Sequence, residues 1–384
     1  MHLLLIAVTF LIALLWVLNT IDFALGIPKM PAVADTAPLP DEACPFVSII
    51  FAARDEVEKL PGALEKFLAL DYPRYEVISV DDRSEDGTAQ ILEATAQRDS
   101  RLKYVRVNSL PPGWLGKPHA LEQARQRATG EWLIFTDADV HFAPDLLRRA
   151  VRLAQEREWN HLTLLAGVEM HSAGERIVLT YFAMGILIGV RPWRTSDPRS
   201  SAYAGVGAFQ MIRRSAYETI DGHRRLAMEV VDDMKLGKVV KEAGVRSGVA
   251  RGWKEVTVRW HAGVRNIVRG TTKNFFAVVG FNFWVACAQL GMVFLLCIAP
   301  WVALPFLSGW ALAFDAAAVA LAVVTEAGVA IEAGISPFYA VTEPLGALIF
   351  SWMLLRSTIV TLWSGGITWR GTFYPLEKLR KGVV

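Results

Sequence analysis

Apolar segments at the two ends of the chain constrain its architecture more than any other feature. Residues 3–18 are almost wholly apolar and the run continues, with interruptions, to Ile27, so the segment 1–27 is long enough to span a bilayer. A C-terminal region, 283–365, predicts three further spans near 283–303, 306–325 and 341–363. Hydrophobic residues make up 53% of the 384 residues, and the excess lies at these ends. We therefore expect a globular domain between two membrane-associated ends.

The charges beside the first apolar run predict its orientation. No Lys or Arg precedes the run, no clear small-x-small cleavage site follows it, and the first cation is Lys29. These features favour an uncleaved transmembrane anchor, with a cleaved signal peptide as the competing interpretation. The positive-inside rule then places the N-terminus outside and the following domain in the cytoplasm. The three cysteines show neither a disulfide framework nor a Cys/His metal spacing, which agrees with that reducing compartment.

The basic tail, 366–384, creates a conflict of topology. Three spans after a cytoplasmic domain place this tail outside the cell. Its cations favour the cytoplasm instead; they are Arg370, Lys378, Arg380 and Lys381. Either one apolar stretch is re-entrant, or the charge bias does not hold here. The net charge of the whole chain, +2, is too small to indicate a nucleic-acid partner.

The middle of the chain has the pattern of an α/β domain. Residues 28–45 contain five prolines and predict a semi-extended linker. From 46 to 260, predicted strands alternate with predicted helices, which indicates a parallel sheet. Within this domain the segment 177–190 is apolar and uncharged but too short to span a bilayer, so it predicts an interfacial or buried helix.

Polar clusters follow the predicted strands or open the next helices, at 54–56, 81–88 and 116–119. In a parallel sheet the carboxyl ends of the strands lie on one edge, where these clusters should meet Asp137 and Asp139. Residues two apart in an extended chain point the same way, and two adjacent carboxylates need a cation. Mg²⁺ or Mn²⁺, held by carboxylates and substrate phosphates, is the usual one. A solvated acidic loop is the alternative interpretation.

Several side chains in these clusters have both a binding and a structural interpretation. Asp82 suits a hydrogen bond to a base or a ribose hydroxyl, but it also suits a strand-to-helix turn. Lys117, beside Gly116, suits a diphosphate, although a solvated surface lysine is the usual alternative. Arg54 and Asp55 equally suit a surface ion pair.

Two later segments add charge to this picture. Asp232 and Asp233 precede a predicted helix, where acids are favoured electrostatically, and one of them suits a general base over the first site. Arg265, Arg269 and Lys273 recur every four residues opposite an apolar side. This periodicity predicts that the segment 261–282 is a basic amphipathic helix lying on an anionic cytoplasmic leaflet.

Together these motifs resemble those of membrane-anchored family 2 glycosyltransferases, over roughly residues 45 to 240. The matching pieces occur in the family's order: Ala53-Arg54-Asp55-Glu56, Asp81 to Thr88, Gly116-Lys117-Pro118-His119-Ala120-Leu121, Thr136-Asp137-Ala138-Asp139, Gly205 to Arg214, and Asp232-Asp233-x-x-Leu236. The segment Trp369 to Tyr374 is similar to a Trp-Arg-Gly-Arg-x-Tyr tail of bacterial enzymes that glycosylate hopanoid, carotenoid or ceramide-type lipids.

The resemblance implies an α/β fold of the GT-A (nucleotide-diphospho-sugar transferase) type. Such a fold has a mixed sheet with helices on both faces, here with N- and C-terminal transmembrane helices. It implies that the nucleotide sugar binds to Arg54, Asp55, Glu56, Asp82, Lys117 and Asp137. It implies that Asp139 is the main metal ligand, shared with Asp137. It also implies that Asp233 is the catalytic base, although Asp232 stands where the family has Glu and leaves that choice open.

The same resemblance implies a hexosyltransferase-type enzyme of the bacterial inner membrane, multi-pass, with a cytoplasmic catalytic domain at 46–260. The reaction implied is an inverting transfer of one sugar from a nucleotide diphosphate sugar to a lipid hydroxyl, with a divalent cation, Mg²⁺ or Mn²⁺. Processive members carry a Gln-x-x-Arg-Trp motif, and Val256 stands in place of its Gln before Arg259-Trp260. A processive polysaccharide synthase and an inactive membrane scaffold remain the alternatives.

Overall fold

The computed structural model describes residues 2–384, and its strands form two sheets. The large sheet contains β1 (Val47–Ala53), β2 (Tyr75–Asp82), β3 (Leu102–Val107), β4 (Trp132–Asp137), β5 (Val140–Phe142), β6 (His161–Val168), β7 (Gln210–Arg213) and β8 (Ser247–Val258). A separate hairpin contains β9 (Gly366–Trp369) and β10 (Thr372–Pro375).

The helices of the central domain are α2 (Leu60–Leu68), α3 (Thr88–Arg98), α4 (Gly116–Arg127), α5 (Leu146–Glu156), α6 (Ala173–Val190), α7 (Arg214–Thr219) and α8 (Asp232–Glu242). Those before and after it are α1 (His2–Gly26), α9 (Val264–Gly270), α10 (Phe275–Val278), α11 (Phe283–Val293), α12 (Ala299–Ala303), α13 (Gly309–Glu332), α14 (Glu343–Ser364) and α15 (Leu376–Lys381). A π-helical turn, Phe294–Ile298, joins α11 to α12.

The large sheet is mixed, as the family resemblance implied. Its strand order is β3-β2-β1-β4-β7-β6-β8-β5, with β1 to β4 parallel and β7 antiparallel to both neighbours. The fully parallel sheet that the alternation of elements predicts is therefore interrupted at β7, although β6 and β8 beyond it again pair in parallel. After β4 the chain turns at residues 138–139, and β5 joins the far edge of the sheet, antiparallel to β8. The carboxyl ends of β1, β2 and β4 thus meet beside this turn.

Helices cover both faces of the sheet because successive strand residues point to opposite sides. Ile49 and Phe51 of β1 pack with α2 and α5 on one face, whereas Ile50 packs with α4 and α8 on the other. All three side chains are fully buried. This two-sided core confirms the α/β architecture predicted for the central domain.

The proline-rich segment 28–45 is packed against the domain, which differs from the free linker that its composition predicts. Arg148 of α5 donates to the Leu39 carbonyl over 2.7 Å and forms a 2.6 Å ion pair with Asp41. Val33 is fully buried within the central core. An arginine on α5 therefore fixes a segment whose own regular structure is limited to short 3₁₀ turns.

Within residues 2–384, five helical segments are long and apolar enough to cross a membrane: His2–Lys29, Ala173–Arg194, Phe283–Phe306, Gly309–Glu332 and Pro337–Ser364. The second one corrects the length predicted for 177–190. Helix α6 begins at Ala173, because Ser172 and Glu175 form a capping box, and so reaches 18 residues.

Both ends of α6 nevertheless contact the central domain. At its start, Glu175 forms a 2.8 Å ion pair with Arg259. Just beyond its end, Lys241 of α8 donates to the Thr195 carbonyl over 2.8 Å. Between these contacts α6 packs against α13 and α14, in a buried cluster that also contains residues of α1, so the body of the helix lies among the apolar helices.

The segment 261–282 is not the single amphipathic helix that its periodicity predicts. It is divided into α9, a 3₁₀ turn at Thr271–Lys273, and α10. The break follows Gly270, where a Cβ atom would lie 2.2 Å from the His261 ring, so the chain passes the imidazole closely before turning. The turn directs Lys273 away from Arg265 and Arg269, with its ammonium 4.1 Å from the ring centroid of Trp369.

The basic tail, 366–384, is folded onto the central domain. Its hairpin turns at Arg370 and Gly371, whose φ angles of 48° and 76° are both positive, as a two-residue type I′ turn requires. Leu379 of α15 is fully buried, and the Val384 carbonyl accepts a 2.5 Å hydrogen bond from Lys235 of α8. The tail therefore lies on the same side of the molecule as the domain.

Helix α14 contacts α6 near its start and the turn Thr271–Lys273 towards its end. Near its start, a Cβ atom on Gly346 would lie 2.6 Å from the Tyr181 side chain of α6. Towards its end, the Ser357 hydroxyl donates to the Thr272 carbonyl over 2.6 Å, and the tail follows directly. In contrast, α1 and α13 lie side by side and parallel, with Thr20 and Thr325 hydroxyls 2.8 Å apart.

Candidate active site

The loops that follow β1 and β2 are joined by hydrogen bonds into one rim of the site. The Asp55 amide donates to the Ser84 hydroxyl over 3.1 Å, and the Glu85 amide donates back to the Asp55 carboxylate over 2.9 Å. The Glu56 amide donates to the Thr88 hydroxyl at the start of α3 over 2.8 Å. Two of the predicted nucleotide-binding residues are thereby held rigidly at the edge where the parallel strands end.

Asp82 lies in the wall of the site and is only 4% exposed. Arg83 forms a 2.8 Å ion pair with its carboxylate, and Arg54 lies 3.9 Å away. A Cβ atom on Gly116 would lie 2.3 Å from Asp82 Oδ2, so only glycine lets the start of α4 approach this carboxylate. The same approach brings the next residue, Lys117, towards the end of β4.

Lys117 links two of the predicted acids. Its ammonium lies 2.6 Å from Asp137 Oδ1 and 3.9 Å from Asp232 Oδ1. Burial opposes the charge of both partners, but their attraction outweighs it: the pKa of Lys117 is raised and the pKa of Asp137 is lowered. The site therefore contains a fixed positive charge at the carboxyl edge of the sheet, where an anionic ligand would bind.

Asp233 lies next to this pair, across the backbone of Gly207. The Gly207 amide donates to Asp233 Oδ2 over 2.8 Å. A Cβ atom on Gly207 would lie 2.8 Å from Asp137 Oδ2 and 3.1 Å from Asp233 Oδ2, so both carboxylates flank one residue. The side-chain amide of Gln210 on β7 donates a 3.0 Å hydrogen bond to the Asp233 carbonyl and accepts a 2.9 Å hydrogen bond from His161. The start of α8 is thus positioned through the sheet.

The neighbouring Asp232 has a different environment. It is 4% exposed, and burial, followed by the attraction of Lys117 and the repulsion of Asp233, leaves its pKa raised. His223, also buried, lies 3.9 Å from it. Asp233 is half-buried and so is the acid of the pair that an incoming molecule can reach.

Asp139 does not point the same way as Asp137, because the chain turns at residues 138–139 instead of continuing as a strand. Its carboxylate forms a 2.7 Å ion pair with Lys59, whereas Asp137 pairs with Lys117. Within residues 2–384 no three His, Cys, Asp or Glu side chains converge as a metal-binding group. The structure thus corrects the picture of two adjacent, parallel carboxylates.

The site also contains residues that the sequence did not indicate. Lys273 lies near Asp137, Asp232 and Asp233, although its spacing predicts a place on the membrane-facing side of a helix. Burial and, to a smaller extent, the positive charge of Lys117 lower the pKa of Lys273 to about 8. The negative charges of the three acids oppose this shift but do not cancel it. The only local feature of the sequence that could have indicated this position of Lys273 is Gly270, after which the helix breaks.

The tail hairpin covers one side of the site. Arg370 forms an ion pair with Glu56, and Gly371 lies against the Arg54 guanidinium, at 3.9 Å from a Cβ atom built on the glycine. Burial raises the pKa of Glu56, and Arg370 offsets part of that effect. The likeness of the tail to a family motif drew attention to this segment. It did not indicate the contact with the rim, because Arg370 and Glu56 are more than three hundred residues apart in the sequence.

The chain is similar to known glycosyltransferases. Residues 48–220 match the model of glycosyl transferase family 2. Among curated proteins, a 4,4'-diaponeurosporenoate glycosyltransferase of Staphylococcus haemolyticus is 23% identical over 61% of this chain and 62% of its own length. A beta-monoglucosyldiacylglycerol synthase of Trichormus variabilis is 28% identical over 50% of this chain and 40% of its own. The chain therefore matches about three fifths and two fifths of these two relatives.

Two further similarities concern the fold and the alternative function, that of a polysaccharide synthase. The mannosyltransferase PcManGT of Pyrobaculum calidifontis, solved in complex with GDP-Man and Mn²⁺, has a TM-score of 0.55 at 19% identity and covers 94% of this chain and 99% of its own. This match confirms the GT-A fold. A poly-beta-1,6-N-acetyl-D-glucosamine synthase of Staphylococcus epidermidis is 32% identical over 24% of this chain and 21% of its own length.

Proposed function

The chain carries a glycosyl transferase family 2 domain over residues 48–220, and from this premise we propose that it is an inverting, non-processive glycosyltransferase. Its donor is a nucleotide diphosphate sugar and its acceptor is the hydroxyl of a membrane lipid. The observation that carries the proposal is the position of Asp233. Its half-buried carboxylate accepts a hydrogen bond from the Gly207 amide and lies beside the Lys117–Asp137 ion pair. A base and a fixed cation side by side are what transfer from a diphosphate requires.

In this mechanism Asp233 removes the proton of the acceptor hydroxyl. The acceptor oxygen forms a bond to the anomeric carbon as the bond from that carbon to the diphosphate oxygen breaks, which inverts the configuration in one step. The electron pair leaves with the nucleoside diphosphate, whose charge Lys117 stabilises. Asp232 is too deeply buried to meet the acceptor and positions Lys117 instead.

A divalent cation fits the residues beside this pair. Mg²⁺ and Mn²⁺ commonly take one or two carboxylates and complete their shell with substrate phosphates, so the lack of a three-residue ligand group within 2–384 is compatible with them. Asp139 would hold such a cation, with Lys59 moving aside, and Asp137 lies across the turn. When bound, the cation would offset the charge that develops on the diphosphate.

The surroundings of Arg259 and Trp260 support transfer of a single sugar. Arg259 is engaged by Glu175 of α6 through two hydrogen bonds of 2.8 and 2.9 Å. Trp260 stacks on Phe182, with ring centroids 5.5 Å apart. Both residues therefore anchor α6. A lipid acceptor is supported by the five membrane-type helices and by the names of the two relatives that act on a carotenoid acid and on a diacylglycerol lipid.

The proposal is tested by incubating membranes that contain the full chain with a panel of labelled nucleotide sugars and analysing the lipid extract. We expect one labelled lipid, and a rate lower by about 10² to 10⁴-fold in Asp233→Asn. Asp221→Asn is the matched control, because Asp221 is an exposed acid with a positive φ of 56° that Asn also tolerates.

Full activity of Asp233→Asn would contradict the assignment of the base. A long polymeric product would support the polysaccharide synthase instead. Divalent-dependent binding of a nucleotide sugar without any transfer would support the inactive scaffold.

A further inference from the structure

A cavity of about 360 Å³ lies between α9 and α14, away from the candidate active site. It is lined by Arg265, Val268, Arg269, Trp352 and Arg356. Arg265 and Arg269 are four residues apart on α9, and Trp352 and Arg356 are four residues apart on α14, so each helix contributes one face to the cavity. None of the candidate active-site residues lines it.

Three arginines converge on this cavity without a carboxylate. Within residues 2–384 none of them forms a salt bridge, and their single side-chain hydrogen bond is the 3.2 Å contact from Arg356 Nε to the Thr272 hydroxyl. The Nη atoms of Arg356 thus remain available. Like charges held together repel one another, and an anion placed between them removes that cost.

The cavity opens where the protein surface is apolar. Trp352 is 53% exposed, and its neighbours on α14, Leu348, Leu355 and Ile359, also have large exposed fractions. Tryptophan is enriched at the level of lipid headgroups, and arginine binds phosphate through two parallel hydrogen bonds. We propose that this cavity binds the phosphate of an anionic bilayer phospholipid, which is neither the donor nor the acceptor of the reaction.

Such a phospholipid would connect the membrane to the active site. Thr272, which contacts Arg356, precedes Lys273 in the same 3₁₀ turn. Ser357, next to Arg356, donates to the Thr272 carbonyl over 2.6 Å and accepts a 2.9 Å hydrogen bond from the Phe276 amide. A phosphate shared by α9 and α14 would therefore hold the turn that places Lys273 among the acids.

The test uses the full chain in detergent, with no nucleotide sugar present. Retention of phosphatidylglycerol and of phosphatidylcholine is measured by native mass spectrometry over a range of lipid concentrations. We expect the wild-type chain to retain one phosphatidylglycerol in preference to phosphatidylcholine. Arg356→Gln and the double variant Arg265→Gln/Arg269→Gln should bind it at least about tenfold more weakly. Arg98→Gln, which changes an exposed arginine of α3, is the control.

Arg265 and Arg269 are exposed, so the double variant reports on binding even if Arg356→Gln impairs folding. Equal retention by the wild type and the double variant would overturn the proposal. So would binding of inorganic phosphate without phosphatidylglycerol, or displacement of the lipid by a nucleoside diphosphate, which would make the cavity a free-anion or donor site. Because no sugar is transferred in this experiment, its failure is distinct from a failure of the proposed function.

Discussion

Gly207 sets the spacing between Asp137 and Asp233, since a single Cβ atom at that position would crowd both carboxylates. We expect Gly207→Ala to fold with nearly unchanged stability, because the atoms it displaces are the ends of side chains. The rate of transfer should fall by about 10 to 100-fold, because small misplacements of reacting groups are costly. The measurement is kcat in membranes alongside the melting temperature of the purified variant.

Gly185→Ala is the matched control for this substitution. Gly185 lies within α6, and a Cβ atom there would contact nothing within 4 Å. Its activity should equal that of the wild type. An unimpaired Gly207→Ala would mean that the two acids do not act as one site.

His161 gives the domain a predictable dependence on pH. Burial lowers its pKa to about 4 from an ordinary value of 6.5, so between these values the unfolded chain binds a proton that the folded chain does not. The stability contributed by the neutral imidazole is therefore complete above pH 6.5 and is lost as the pH falls towards 4. The loss within that window is at most about 1.4 kcal/mol per pH unit.

The test compares melting temperatures of the wild type and His161→Gln between pH 7.5 and pH 5. The advantage of the wild type should shrink as the pH falls. His171→Gln, at a largely exposed histidine, should leave the pH profile of the wild type unchanged. A constant difference between wild type and His161→Gln across the range would refute the prediction.

At the level of single residues, the sequence indicated which acids and bases gather, but not how they pair. The order of the strands was enough to bring Asp82, Lys117 and Asp137 to one edge of the sheet. The turn after β4 was not visible, because nothing in Ala138-Asp139 forbids an extended chain. That turn assigns Asp137 and Asp139 to different lysines, Lys117 and Lys59.

Among the elements, the tail hairpin has the most direct consequence for the donor. Its Arg370 pairs with Glu56 at the rim of the site, and the two side chains are 42% and 18% exposed. We expect Arg370→Ala to raise the KM for the donor by up to about fivefold while kcat changes little, because a partly exposed ion pair contributes up to about 1 kcal/mol. Steady-state kinetics over donor concentration separate the two constants.

Lys381→Ala provides the control within the same tail. It breaks a 2.6 Å ion pair with Glu377 that lies on the exposed surface of α15. Its kinetics should match those of the wild type. An unchanged donor KM in Arg370→Ala would show that the hairpin does not participate in donor binding.

The elements differ in how well the sequence indicated them. The core helices and strands were predictable because their hydrophobic periodicity is local. The segment 261–282 was mispredicted because periodicity continues across Gly270, although the backbone turns there to pass His261. The hairpin at Arg370-Gly371 was not predicted within the basic tail, and its contact with Glu56 depends on the packing of the whole chain.

For the whole molecule, the structure offers a solution to the conflict over the tail. Helices α1 and α13 run parallel, so they enter the membrane from the same side. Helix α14 contacts Tyr181 of α6 near its start, and towards its end it contacts Thr272, in the turn that leads to the active site. If α14 lies in the membrane surface, the domain and the tail are separated by two crossings only, the α11–α12 rod and α13. An even number of crossings would return the tail to the side of the domain, and we expect that side to be the cytoplasm because the tail is basic.

Cysteine labelling tests this arrangement in whole cells and inverted vesicles, with a maleimide that does not cross membranes. On a Cys287→Ser background, which removes the exposed native thiol, Arg98→Cys reports on the domain and Lys381→Cys on the tail. We expect both to label only in inverted vesicles, and His2→Cys to label in whole cells, because one crossing by α1 separates it from the domain. Labelling of Lys381→Cys together with His2→Cys would mean that α14 crosses the bilayer. The tail could then not contact Glu56, so the same result would also contradict the hairpin's part in binding the donor.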